Sequence, residues 1–188
     1  MVAELRDTEK SLRRLSKERR TAFACLTAER LLPHYKAFQK ESGWGDATVL
    51  RLGLDLAWRG VNGRPPGRLE LETARKNIQA QAPDSEDSFT STLTSVALDA
   101  AEAVGGALAC AGDGEVRHAV AAAQAAYDTV EGFGSRGGPE ESPAVKARLE
   151  RELRLQRESL AELEGLTSLS DHTMERLRFK YSASSLGM

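Results

Sequence analysis

Thirteen of the thirty residues from Ala97 to Ala126 are alanine, and no other feature restricts the fold as much. Alanine loses least on entering a helix, while the β-branched runs that mark strands are missing. Two alanine-rich helices can bring their axes close together, but each small side chain removes little area from water, so stability must lean on larger residues elsewhere. Five of the ten aromatic residues, Phe23, Tyr35, Phe38, Trp44 and Trp58, fall between 23 and 58. That segment is expected to be the densest part of the core.

Apolar periodicity predicts helices over about 6–15, 17–41, 47–59, 68–81, 88–110, 115–131 and 144–164. Pro33 predicts a kink or break near Leu32. Asp46 is placed to cap the third helix, and Gly60 to stop it. The fourth helix is expected to turn Leu71, Ala74 and Ile78 inward. Ser142-Pro143 reads as a cap followed by a proline in the first turn of the last long helix, with Leu149, Leu153, Leu160 and Leu163 inward. Asp113-Gly114 lies between helical patterns and reads as a helix–helix turn. The glycine-rich run over 132–141 has no strand before it and no Lys-Ser/Thr after it, so it reads as a flexible linker and not as a phosphate loop. The expected fold class is all-α: one antiparallel multi-helix bundle over 1–166, with a flexible loop at 132–141. A polar tail follows over 167–188, with one short amphipathic piece from Met174 to Tyr181.

The charge balance of 26 Lys and Arg against 28 Asp and Glu gives a net charge of −2, which argues against nucleic-acid binding as the main role. With 40% hydrophobic and 29% charged residues, the chain reads as a water-soluble globular domain and not as a disordered, collagenous or membrane protein. The charged start, Met1-Val2-Ala3-Glu4-Leu5-Arg6-Asp7, lacks the apolar stretch of a signal peptide. Cys25 and Cys110 are too few for a disulfide framework and are expected to be buried free thiols. A cytoplasmic location follows as an expectation.

Several groups could carry chemistry. His34, His118 and His172 are far apart and show no metal-ligand spacing, so no metal and no cofactor are expected. Arg30 and His34, four residues apart, share a helix face beside Glu29. Asp55 and Asp99 could join them, which gives either a small-ligand or catalytic site or a buried ion-pair network that fixes packing. No serine elbow or Cys–His dyad is evident, so catalysis is not the first expectation. The series Arg148, Arg151, Arg154 and Arg157 interleaves with Glu150, Glu152 and Glu158 and reads as a solvated, salt-bridged face. In the tail, Met174, Leu177, Phe179 and Tyr181 could dock onto a partner, pack back on the domain or stay disordered.

The stretch Cys25-Leu26-Thr27-Ala28-Glu29-Arg30-Leu31-Leu32-Pro33-His34-Tyr35, followed by Phe38, Gly43-Trp44-Gly45-Asp46 and Leu54-Asp55-Leu56-Ala57-Trp58, resembles the YjaG-like family of bacterial proteins of unknown function. Pro83-Asp84, Ala97-Leu98-Asp99-Ala100 and Ser142-Pro143-Ala144-Val145 continue the likeness, which spans about 14–165. His34 stands where that family usually has Asn, and Trp44 where it usually has Phe. The resemblance implies a single all-helical domain and supplies no reaction.

The functional expectation is a non-enzymatic protein-interaction module, with an immunity or antitoxin-like partner as one form. The alternative is a small-ligand binder or enzyme that uses Glu29, Arg30, His34, Asp55 and Asp99. A protein partner is expected, nucleic acid and membrane are not, and no pattern sets the oligomeric state.

Overall fold

The computed structural model describes residues 5–84, 91–135 and 143–182, with side chains of the helix ending at Ser135 described as far as Gly132. The described residues form eight α-helices and no strand. They are α1 (Arg6–Arg14), α2 (Lys17–Ser42), α3 (Ala47–Val61), α4 (Arg68–Gln79), α5 (Thr94–Asp113), α6 (Val116–Ser135), α7 (Pro143–Gly165) and α8 (Asp171–Tyr181). The all-helical class is therefore as the alanine content and periodicity indicate.

Local chemistry explains most of the boundaries. The Ser16 hydroxyl accepts from the Arg19 N–H at the start of α2, and Gly43, at φ +70°, ends that helix in the left-handed conformation its missing Cβ allows. Asp46 caps α3 as expected, its carboxylate accepting from the Thr48 N–H at 2.8 Å. The Asp113 carboxylate accepts from the Glu115 N–H at 2.9 Å and opens the turn into α6.

Four expectations are corrected. Pro33 does not break α2, which runs through it as one helix. The proline forfeits one backbone hydrogen bond, but Leu31, Leu32, His34 and Tyr35 around it are all buried and hold the helix together. Gly60 does not stop α3. It is buried inside the helix, where a Cβ would lie 3.0 Å from the Cβ of Ala111 on α5. The linker over 132–141 starts too early, because α6 continues to Ser135. A helix-interior glycine costs only about 1 kcal/mol, too little to end a helix without a capping turn. The rest of that loop, and the first residues of the helix expected from 88, lie outside the described residues. Finally, Leu149 and Leu153 are only half-buried. The inner stripe of α7 is Val145, Glu152, Gln156, Ser159, Leu160 and Leu163.

At the centre lies α5, packed against α2, α3, α4 and α6. It is long and apolar enough, by length and composition, to cross a membrane, and 61% of its most apolar window is buried inside the domain. Its inward face is Ala97, Ala100, Ala103, Val104, Ala107, Leu108 and Ala111. Against it stand the larger residues of α2, Phe23, Leu26, Leu31, Tyr35 and Phe38, all closed off from water. The aromatic segment thus supplies bulk where the alanine helices cannot. Tyr35, Phe38 and Trp44 pack edge to face, with centroids 6.0 and 6.1 Å apart. Cys25 and Cys110 are buried free thiols, as expected, and burial raises both pKa values.

Two adjacent glycines of α5 test how tightly this centre is built. A Cβ on Gly106 would sit 2.8 Å from the backbone carbonyl oxygen of His118, which has no rotamer to yield, whereas a Cβ on Gly105 meets nothing within 4 Å. Gly106→Ala is expected to destabilise by about 1–3 kcal/mol through overpacking. Gly105→Ala is expected to stabilise by roughly 0.5–1 kcal/mol through helix propensity. Urea melts of the two variants check this; equal effects would mean that α5 and α6 are not in close contact at this crossing.

Candidate functional site

The five polar residues singled out in the sequence do not converge. They divide among three places, because neighbouring positions on α2 face different ways.

Glu29 lies on the α3 and α8 side of α2. Arg51 of α3 grips its carboxylate with both guanidinium nitrogens, at 2.7 and 3.1 Å. The Trp58 indole N–H donates to it at 2.9 Å, and Arg178 of α8 reaches it at 2.8 Å. Arg51 also holds Asp55 at 2.7 Å, and the Arg178 guanidinium stacks 5.2 Å from the centroid of the Trp58 ring. Burial pushes the Glu29 carboxyl up, but the Arg51 hydrogen bonds, the two positive charges and the indole outweigh it, so the group lies below the usual carboxylate range. The result is a charge-paired clasp that ties α2, α3 and α8 together.

Arg30, one residue on, faces the opposite interior. It and Glu152 of α7 are both fully buried, 2.8 Å apart. Arg30 also donates to the Leu26 carbonyl at 3.3 Å and to the Thr27 hydroxyl at 3.4 Å. The Gln156 amide donates to Glu152 and to the Ala123 carbonyl of α6, both at 3.1 Å. Ser159 donates to the Gln156 carbonyl at 3.0 Å. His34 is buried too. Burial holds its ring neutral, with the pKa pushed down to about 4 although the Glu152 charge pulls it up. Burying charge this deeply is tolerable only because each ion has an opposite charge and further hydrogen bonds.

Asp99 stands apart on α5 and accepts from the Thr129 hydroxyl of α6 at 2.8 Å. Sequence reasoning missed Glu152 and Gln156, because the surrounding arginines and glutamates made α7 look solvated there. The usable signal was spacing. Val145, Glu152, Gln156, Ser159 and Leu163 fall on one stripe of a 3.6-residue helix.

The described part of the tail, through α8, packs back on the domain. Met174, Leu177 and Tyr181 are buried, so these three are packing residues and leave no surface for a partner. Phe179 alone of the four faces water, at 89% exposure. Glu162 of α7 fastens this helix, accepting from Arg176 and Lys180 at 2.6 Å and from the Tyr181 hydroxyl at 2.8 Å. Burial raises the Glu162 carboxyl, yet these three donors outweigh it and bring its pKa down to about 2.

Among the described residues, no three His, Cys, Asp or Glu side chains gather closely enough to hold a metal ion. The open concavities lie elsewhere. A groove of about 480 Å³ between α3 and α4 is lined by Val49, Leu52, Leu56, Leu69, Thr73 and Ala74, among others. Its lips carry Leu52 and Leu69, 64% and 77% exposed.

The molecule is thus a small all-helical protein whose interior charges are paired between helices. It belongs to the DUF416 family, described as proteins of unknown function, whose pattern matches residues 7–187. The match does not carry the narrower YjaG-like name. Among solved structures, a DUF416 family protein from Shewanella baltica OS155 superposes with a TM-score of 0.83. The two are 20% identical, and the alignment covers 96% of this chain and 97% of that one, which shows a shared fold. Comparison with curated proteins gives no match.

The buried imidazole makes a pH signature. Unfolded, His34 takes up its proton near pH 6.5; folded, only near pH 4. The unfolded chain therefore binds more protons in that window, and stability falls as the pH drops through it, by about 3 kcal/mol in all. Denaturant melts at pH 7 and pH 4.5 are expected to show most of this loss, about 2 kcal/mol, in the wild type and a much smaller one in His34→Gln. Parallel losses in both would mean that the ring is not held neutral.

Proposed function

We propose that this protein acts by binding a partner protein and not by catalysis, and that the α3–α4 groove is where the partner docks. One observation carries the reading: two exposed leucines, Leu52 and Leu69, flank a groove whose walls are mostly apolar, with Glu70, Thr73 and Asn77 the polar exceptions. Isolated exposed leucines are ordinary, but two on opposite lips of one apolar concavity form a patch that a partner can cover.

The occupant that fits is an amphipathic helix. Val49, Leu52 and Leu56 repeat at three and four residues along α3, and Leu69 and Thr73 repeat at four along α4. Two such ridges receive the i, i+3, i+4 stripe of a third helix. Support also comes from the interior. Glu29, Arg30, Asp55 and Asp99, residues suited to chemistry, are engaged in ties between helices, and the His34 ring is buried and held neutral. A protein that works by occupying a partner's surface, as an immunity protein or antitoxin does, needs only such a groove.

The test places a photo-crosslinking residue at Thr73 in living cells. The expected result is one discrete adduct that disappears in the double variant Leu52→Asp, Leu69→Asp and persists in Phe179→Asp, with the melting temperature of each within a few degrees of wild type. An adduct that survives the double variant, or no adduct at all, would overturn the reading.

A further inference from the structure

The other side of α4 faces a second concavity, independent of the α3–α4 groove. Two adjoining hollows of about 530 and 480 Å³ run along the outer face of α5 between α4 and α6, and they share Arg75, Ala109 and His118. Leu98 to Gly112 on α5 spans both, about 21 Å of helix at 1.5 Å per residue. The two halves differ in character. Beyond Arg75 toward Leu98 the surface is mostly Ile78, Ala82, Ala101, Gly105 and Ala109. Its one acidic residue is Glu102, whose carboxyl pKa is raised by burial and by Asp128. In the other half every charged residue but Arg75 has a partner of opposite sign. Arg68 pairs with Glu72 at 2.8 Å, and Arg117 and His118 both lie on Asp113, at 3.9 and 3.0 Å.

Arg75 is thus the unpaired cation of the groove among the described residues, and it stands where the two halves meet. Gly105 adds a second feature. It is a glycine in the interior of a helix with open space where its side chain would be. It costs helix stability and keeps the apolar floor low.

We infer that this groove binds a small amphipathic carboxylate, with its acid group at Arg75 and its apolar chain over Gly105 and Ala109. Arg75 offers one unpaired guanidinium, and Glu102 in the apolar half is the groove's unpaired carboxylate among the described residues, so the site suits a singly charged carboxylate better than a doubly charged phosphate. The volume of either hollow falls in the range of small-molecule sites, roughly 300–1,000 Å³. The apolar chain leaves water against alanine and glycine, and the acid group gains a charge-assisted hydrogen bond from a guanidinium.

Decanoate, used below its micelle concentration, is the probe, with decanol and acetate as its uncharged and chainless counterparts. Titration followed by backbone amide shifts is expected to show saturable decanoate binding that moves α4 and α5 resonances, weaker decanol binding and none by acetate. Arg75→Gln is expected to weaken decanoate by about tenfold, the worth of one hydrogen bond to a charged group, and to leave decanol unchanged. Gly105→Leu, whose Cβ would meet nothing within 4 Å, fills the floor and is expected to weaken both, while circular dichroism confirms that both variants fold. No saturable decanoate binding, binding indifferent to both substitutions, or equal affinity for acetate would each overturn the inference.

Discussion

An arginine and a glutamate, both closed off from water, join α2 to α7 at 2.8 Å. Two charges in such a place are a demand before they are a support. Each costs several kcal/mol to remove from water, and the cost is offset by the opposite charge together with neighbouring dipoles set to receive it. That demand explains the company they keep: the Leu26 and Ala123 carbonyls, the Thr27 hydroxyl and the Gln156 amide. It also explains why α7, whose outer faces are Arg and Glu, holds a defined rotation against α2 and α6.

Around this tie the fold is organised by side-chain size. Alanine and glycine on α5 let α2, α3 and α6 approach closely, and the aromatic residues of α2 fill the space that remains. The same small residues shape the outside. Where α5 is not covered by α4 or α6 it leaves a shallow apolar floor, and where α3 and α4 splay apart they leave a second one. The features that make the molecule pack are therefore also those that give it concave surfaces.

How much of this was legible in the sequence depended on the range of the interaction. Helices and most caps follow from neighbours three or four residues apart, so Asp46 and the Asp113-Gly114 turn stand where the sequence places them. Pro33 and Gly60 misled because their local meaning was overridden by packing. The flanks of Pro33 are buried, and Gly60 is there to admit Ala111. The candidate cluster was half legible. Glu29, Arg30 and His34 do lie in charged or buried networks, but adjacent residues on a helix point about 100° apart, and here Glu29 turns to α3 and α8 while Arg30 turns to α7. The partner of Arg30 lies 122 residues away, and no local pattern names it. In the tail, Met174, Leu177, Phe179 and Tyr181 read as one amphipathic group, while the separation of Phe179 from the other three and their destination against the domain were matters of tertiary structure alone.

The interior charges hold the helices together, and the proposed binding surfaces are the outer grooves. A double-mutant cycle on Arg30 and Glu152 tests that division most directly. Arg30→Met and Glu152→Leu alone are each expected to cost about 3–5 kcal/mol, because each strands a buried charge, while the double variant recovers most of that loss. Single variants as stable as the wild type, with no coupling between them, would contradict the account and return these two residues to the list of functional candidates.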